Sequence, residues 1–246
     1  MFKTARDSLL SLVYPQECRI CGNSVERFSD GNACDDCWNQ VRVLAQGETI
    51  CEKCGAYLGD RVDTTITSCH QCVDHAYDRA VAAGIYEHAL AATVVNLKIK
   101  PYLPQRCKTL LLKAIARTEL ERDITLIIPV PLSSKRLLER GYNQAEVIGK
   151  FLADKTGIPI RTDILSRKIH TPMHRAAMDD KARHLTVNKA FEIADNTELR
   201  SSRVLLVDDV FTSGATVSSC ARILKKYGAS RVDVFTLARA IFNNQL

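Results

Sequence analysis

Long apolar runs are missing from this 246-residue chain: Lys, Arg or Pro breaks each candidate within about ten residues, well short of the roughly 20 needed to cross a bilayer. No transmembrane segment is expected. No secretory leader is expected either. The opening "MFKTARDSLLSLVYPQEC" has only a short apolar stretch, set behind Asp7 and without a small-residue cleavage site. It reads as a short amphipathic helix stopped by Pro15, and the chain is expected in the cytoplasm. Aromatic residues are scarce, 6% of the chain with a single Trp. A surface that stacks bases would have little beyond Tyr102, Tyr142, Phe151 and Tyr227 to use. Disordered and fibrous classes are excluded in turn, because 46% hydrophobic and 25% charged residues suit a packed soluble core.

Cysteine, by contrast, is plentiful. Eight of the ten cysteines form four CxxC pairs before residue 73: Cys18/Cys21, Cys34/Cys37, Cys51/Cys54 and Cys69/Cys72, separated in turn by 12, 13 and 14 residues. Two thiolates three apart on a tight turn can face one tetrahedral ion, and a second such turn completes a four-sulfur cage. Four knuckles therefore predict two structural Zn sites, with no open coordination position for catalysis. In "CRICG" and "CEKCG" a Gly follows the second Cys, where the turn calls for positive φ. "CDDCW" and "CHQCV" lack it. Disulfides and a redox CxxC are the competing uses; with no secretory leader expected the first is disfavoured, and the fourfold occurrence disfavours the second. The spacing leaves open which knuckles share an ion. Pairing first with second and third with fourth closes the shorter loops and is preferred over an interleaved arrangement. Few apolar residues lie between the knuckles, so the metal is expected to supply most of this segment's stability. His70 and His75 lie near the last knuckle and are read as surface residues, Cys107 and Cys220 as small buried hydrophobes.

Charge divides the chain at the same place. Residues 1–75 hold 7 Lys and Arg against 11 Asp and Glu, a net of −4, while 76–246 hold 27 against 17, a net of +10. The larger part thus suits ligands that carry phosphate, or nucleic acid. Its pattern alternates strand and helix: strands at 79–86, 125–131, 158–165, 203–207 and 230–239, helices at 88–100, 104–120, 143–157 and from the "TSGAT" turn to Gly228. Such alternation predicts an α/β domain over 76–246 with a parallel sheet covered by helices on both faces, preceded by a Cys-rich module over 1–75. The polar stretch 166–190 has no period and is expected to be a long functional loop.

Within this plan "RVLLVDDVFTSGAT" (203–216) stands out. Its apolar strand is expected to end at Asp208 and Asp209, at the carboxyl edge of the sheet where ligands bind in open α/β folds. The small, hydroxyl-rich turn that follows opens a helix, so backbone N–H groups, hydroxyls and the helix dipole can converge on one anion. Carboxylates beside an anion site fit a ligand carrying both a phosphate and vicinal hydroxyls, such as a sugar 5-phosphate.

"VLLVDDVFTSGAT" resembles the phosphoribosyl-pyrophosphate (PRPP) signature of type I phosphoribosyltransferases. With the Cys knuckles, "PVPLSSKRLLERGYNQA" (129–145) and "RHLTVNKAF" (183–191), the whole chain resembles the ComF-type competence proteins, which join a zinc module to a phosphoribosyltransferase-like domain. The resemblance implies that Asp208 and Asp209 hold the ribose hydroxyls, that Thr212, Ser213, Gly214, Ala215 and Thr216 hold the 5-phosphate, and that the loop after "TLIIPVP" meets the pyrophosphate, with Lys135, Arg136 and Arg140 as candidates and "RGYNQ" (140–144) as its most recognisable part. Lys98 matches the family's "LK" motif, although Pro101 interrupts the usual continuation. The loop 166–190 would be the hood over the site, with His174 where the family has Gln.

The resemblance further implies Mg²⁺ with PRPP, and displacement of pyrophosphate from the anomeric carbon if the protein is an enzyme; no residue is assigned as catalytic. Handling of internalised single-stranded DNA in natural competence is the expected role. A metabolic PRPP-dependent transferase, acting on a base or amine, is the alternative. A third reading is an interaction module whose N-terminal part docks on helicase-like or membrane-channel partners.

Overall fold

Strands β5 (Arg203–Phe211) and β6 (Arg231–Arg239) run through the middle of a four-stranded parallel sheet, flanked by β1 (Arg79–Ile85) and β2 (Leu126–Pro129) in the order β1-β6-β5-β2. β6 is buried along almost its whole length and β5 through Val204–Val207, as expected where both faces are covered. The coordinates are a computed structural model that describes residues 7, 10, 11, 13–43, 49–58, 69–168, 190–195 and 198–241. Helices α2 (His88–Leu97), α3 (Gln105–Thr118), α5 (Gln144–Thr156) and α6 (Ala215–Lys226) pack on the sheet, while α1 (Asp35–Asn39) and α4 (Ser134–Arg140) are short. Among the described residues no helix is long and apolar enough to cross a membrane. Of the expected N-terminal helix, Asp7, Leu10, Ser11 and Val13 are helical; much of the rest lies outside the described residues.

The ends of α5 follow from its sequence. Asn143 caps the start, its side chain accepting the Ala145 N–H at 3.1 Å, and Gly157 at φ +74° closes the end. Two expectations need correction. The strand expected at 158–165 is reduced to a single bridge from Ile160 to Ile127, and only Leu165 enters a strand. That strand, β3 (Leu165–Arg167), pairs antiparallel with β4 (Phe191–Ile193), outside the main sheet. Once Pro159 has given its carbonyl to Ile127, no further register continues along β2. The antiparallel pair forms the base of the long loop; residues 169–189, His174 included, lie outside the described residues. Second, β5 does not stop at Val207 but carries the twin acids within it and ends at Phe211, because β6 continues alongside as far as Arg239.

The cysteine module covers an open edge. β1 is an outer strand, and the N–H groups of Ala80 and Ile85 donate to the carbonyls of Lys53 (2.7 Å) and Arg42 (2.9 Å) in the N-terminal part. An edge that could pair with another chain is thereby occupied. Gly84 makes this approach possible: a Cβ there would stand 2.6 Å from Leu90 Cδ1 and 3.1 Å from the Arg42 carbonyl. The core forms two clusters. Cys18, Cys34, Cys37 and Trp38 pack with residues of α2 and α3, while Cys51, Cys54, Cys69 and Cys72 pack with Tyr77, Phe211 and residues of α6. The two cysteine groups thus anchor opposite parts of the body.

Candidate metal centres and ligand cleft

The knuckle turns repeat one design. Gly22 at φ +76° donates to the Cys18 carbonyl, and Gly55 at φ +69° to the Cys51 carbonyl, so each glycine permits the reversal that brings its pair of sulfurs together. Cys18, Cys21, Cys34 and Cys37 form one group, and Cys51, Cys54, Cys69 and Cys72 the other, with the Sγ atoms of each group within 4.8 Å of one another. This is the sequential pairing. Close Sγ pairs stand at 3.5 Å (Cys51–Cys72, Cys54–Cys69) and 3.7 Å (Cys18–Cys37). Four sulfurs around one Zn²⁺ with bonds of about 2.3 Å would stand about 3.8 Å apart, so the groups fit the ion. Burial alone would raise the Cys18 and Cys51 thiols, but backbone N–H groups outweigh it and lower them to about 6 and about 7. In the second group burial pushes Cys54 up to about 11, against the pull of Arg239. His70 is exposed and His75 bonds Tyr77 Oη through Nδ1 at 2.8 Å, so neither belongs to a sulfur group. Cys107 and Cys220 are fully buried, as expected.

At the carboxyl end of the sheet lies a cleft of about 170 Å³. Its walls bring together Asp208 and Asp209 from β5, Thr216 from the first turn of α6, Arg136 and Arg140 from α4, Lys98 from the end of α2, and Arg167 from β3. The segments Val130–Leu132 and Asn143–Ala145 complete it. Asn143 ties these two together, donating from Nδ2 to the Val130 carbonyl at 2.9 Å. Tyr142 Oη donates to the Leu97 carbonyl at 2.9 Å and so fixes the backbone just before Lys98. Pro101 therefore does not remove Lys98 from the site.

The residues named from sequence divide unevenly. Residues 134–140, expected as a loop, form α4, on which Arg136 and Arg140 are one turn apart and share the cleft face. Lys135, a step round the same helix, is exposed and lies outside the cleft lining. Of the turn, Thr216 lines the cleft; Thr212 and Ser213 are exposed, Ala215 is half-buried, and Gly214 is buried at φ +80°. Ser213 Oγ faces the Ala215 N–H at 3.5 Å, at the start of α6. Of the cleft residues not named from sequence, Gln144 and Arg167 bear on ligand binding. Gln144 is 2% exposed, and its Nε2 makes no hydrogen bond among the described residues. Arg167 sits over the Phe191 ring at 5.3 Å. The "RGYNQ" motif signalled Gln144, but nothing local distinguishes Arg167 from the other cations of its loop.

Burial and like charge act on groups of both signs in the cleft. Burial, and then the charge of Arg136, draws Arg167 below its ordinary value, with Cys220 and Asp208 opposing. Asp208 is held well above the carboxylate range, first by burial and next by the charge of Asp209, although it accepts the Asp209 N–H at 2.9 Å. Four cationic side chains and a buried amide donor face two adjacent carboxylates across one small space. A polyanion that also offers hydroxyl groups satisfies both sides.

Two families of known domains match the chain. Residues 9–73 match the double zinc ribbon domain, and residues 142–242 the phosphoribosyl transferase domain. Competence protein F of Haemophilus influenzae is 29% identical over 231 residues, 91% of this chain and 96% of that protein. The DNA utilization protein YhgH of Salmonella typhi is 25% identical over 94% of this chain and 100% of its own length. Among solved structures, the purine phosphoribosyltransferase of Pyrococcus horikoshii aligns with a TM-score of 0.36 and 17% identity, over 57% of this chain and 90% of that one. With both domains in order and these relatives matched nearly end to end, the chain is similar throughout to the ComF-type proteins, carrying a double zinc ribbon domain followed by a phosphoribosyl transferase domain.

Proposed function

We propose that the cleft binds PRPP with Mg²⁺ and that the protein acts in the cytoplasm, in the handling of internalised single-stranded DNA during natural competence. The observation that carries the reading is the Asp208–Asp209 pair facing Lys98, Arg136, Arg140 and Arg167 in one cleft, with the first turn of α6 beside it. Asp208 and Asp209 accept hydrogen bonds from the ribose 2′- and 3′-hydroxyls. The turn from Thr212 to Thr216 holds the 5-phosphate through its hydroxyls, its N–H groups and the helix N-terminus behind them. Lys98, Arg136 and Arg140 meet the pyrophosphate, with Gln144 Nε2 as a further donor. In this division residues 1–75 are the zinc module and 76–246 the ligand-binding body.

Bound Mg²⁺ would neutralise charge on the pyrophosphate as it leaves. The chain's own part is to orient the sugar through the twin acids and to place cations where charge builds up. No described side chain is assigned as base or nucleophile. The pathway rests on the names of the relatives, a competence protein and a DNA utilization protein.

Calorimetric titration of PRPP with Mg²⁺ into the protein and into Asp208→Ala and Asp209→Ala tests the site. Loss of affinity in both variants is expected; unchanged affinity in both rejects the reading. Pyrophosphate release with a panel of bases and amines separates transferase from binder. The transformation frequency of a naturally competent host carrying Asp209→Ala separates a competence role from a metabolic one. Oligonucleotide binding at several salt concentrations tests for direct strand contact, which requires a negative slope.

A further inference from the structure

The second cysteine group and the 212–216 turn share a set of buried contacts. Arg239, the last residue of β6, is 8% exposed. Its Nη1 donates to the Cys54 carbonyl, and its Nη2 lies 3.7 Å from Cys54 Sγ. The same guanidinium sits over the ring of Phe211, 4.6 Å from its centroid, and the sheet register pairs Phe211 with Arg239 directly. Phe211 in turn lies under the turn: a Cβ on Gly214 would be 2.7 Å from Phe211 Cζ. From the other side, the same position is 2.9 Å from His75 Cε1. His75 follows the last knuckle and is held by Tyr77, whose ring meets Phe211 edge-on at 6.0 Å.

The chemistry gives these contacts a direction. Four thiolates on Zn²⁺ carry a net charge of about −2, and donors to ligating sulfurs orient such sites. Arg239 is the buried cation that faces that charge. The first cysteine group packs in the other cluster, on α2 and α3. Only the second is positioned to act on the turn.

We propose that Arg239 is a positioning residue that couples the Cys51/Cys54/Cys69/Cys72 site to the 212–216 turn, so that metal in this site sets the turn's conformation. The use of that coupling in ligand binding rests on the reading that the turn holds a 5-phosphate. The coupling itself is measured without PRPP, by amide hydrogen exchange across 211–218 in the full-length, zinc-loaded protein. Arg239→Met should exchange faster there by about tenfold or more, with Arg239→Lys recovering part of the protection. Cys21→Ser, in the first group, should leave 211–218 unchanged. Exchange in Arg239→Met equal to the wild type, or an equal rise in Cys21→Ser, overturns the proposal. Should Arg239→Met not fold, Arg239→Lys alone decides: exchange intermediate or faster supports the coupling, exchange equal to the wild type ends it. PRPP affinity is measured in parallel. If the wild type binds no PRPP while exchange still responds to Arg239, the ligand reading falls and the coupling stands; if it binds PRPP and exchange does not respond, the coupling alone falls.

Discussion

Arg106 of α3 reaches into the zinc module and places its Nε 3.2 Å from Oδ2 of Asp30, an oxygen that also receives Arg27 Nε at 3.2 Å. The Asp30 side chain is 4% exposed and that of Arg106 25%, so this contact joins the two parts of the chain at a buried carboxylate. Burial raises the Asp30 carboxyl, with Arg27 and Arg106 pulling it back.

Removing one of two cations from a buried carboxylate leaves the charge under-compensated. Arg106→Ala should therefore lower unfolding free energy by about 2 kcal/mol, less than for a pair with no second partner. Urea unfolding measures it, and Arg106→Lys should restore a part. A change in Arg106→Ala no larger than for a surface substitution would show that the module is held by other contacts.

The cations of the cleft separate cleanly by position. Lys98→Ala and Arg136→Ala each remove a charged donor from the lining and should weaken PRPP binding by about ten- to a hundredfold, the value of about 1.5–3 kcal/mol for such a bond. Lys135→Ala, on the exposed side of α4, should leave affinity within about twofold of the wild type. Calorimetry under one salt condition compares all three. Equal losses in Lys135→Ala and Arg136→Ala would mean that general charge, not this geometry, attracts the ligand.

Asp208 also makes a prediction about pH. Its folded value lies well above the ordinary 3.8, through burial and the neighbouring Asp209 charge, with Arg167 opposing. For a carboxyl raised in the folded state, the stabilising contribution is complete below its unfolded value and is lost as pH rises through the folded one. Asp208→Asn is neutral throughout, so its thermal midpoint should exceed the wild type's at about pH 8 and converge with it near pH 4, while PRPP binding is lost. Parallel midpoints across that range would contradict the assignment.

Much of this was legible in the sequence because its signals are local. CxxC spacing shows which two sulfurs share each turn, while the pairing of the turns followed only from the preference for shorter loops; the Gly22 and Gly55 turns are readable from one residue each. The apolar runs of β5 and β6 and the caps of α5 are equally local. What escaped depends on contacts between distant segments. Whether 158–165 becomes a strand depends on its neighbour beyond β2, and Ile160 finds only one bridge. Arg167 enters the cleft through the β3–β4 pairing, and Lys98 is kept there by the bond from Tyr142 to Leu97, 45 residues apart. Lys135 and Arg136 differ only in the helical phase of α4, which a loop reading could not supply.

A crystal structure of the zinc-loaded protein with PRPP and Mg²⁺ tests the central claim most directly. The account predicts ribose hydroxyls on Asp208 and Asp209, the 5-phosphate on the turn from Thr212 to Thr216, and pyrophosphate against Lys98, Arg136 and Arg140. Density for PRPP elsewhere, or a cleft still empty with ligand in large excess, would contradict it.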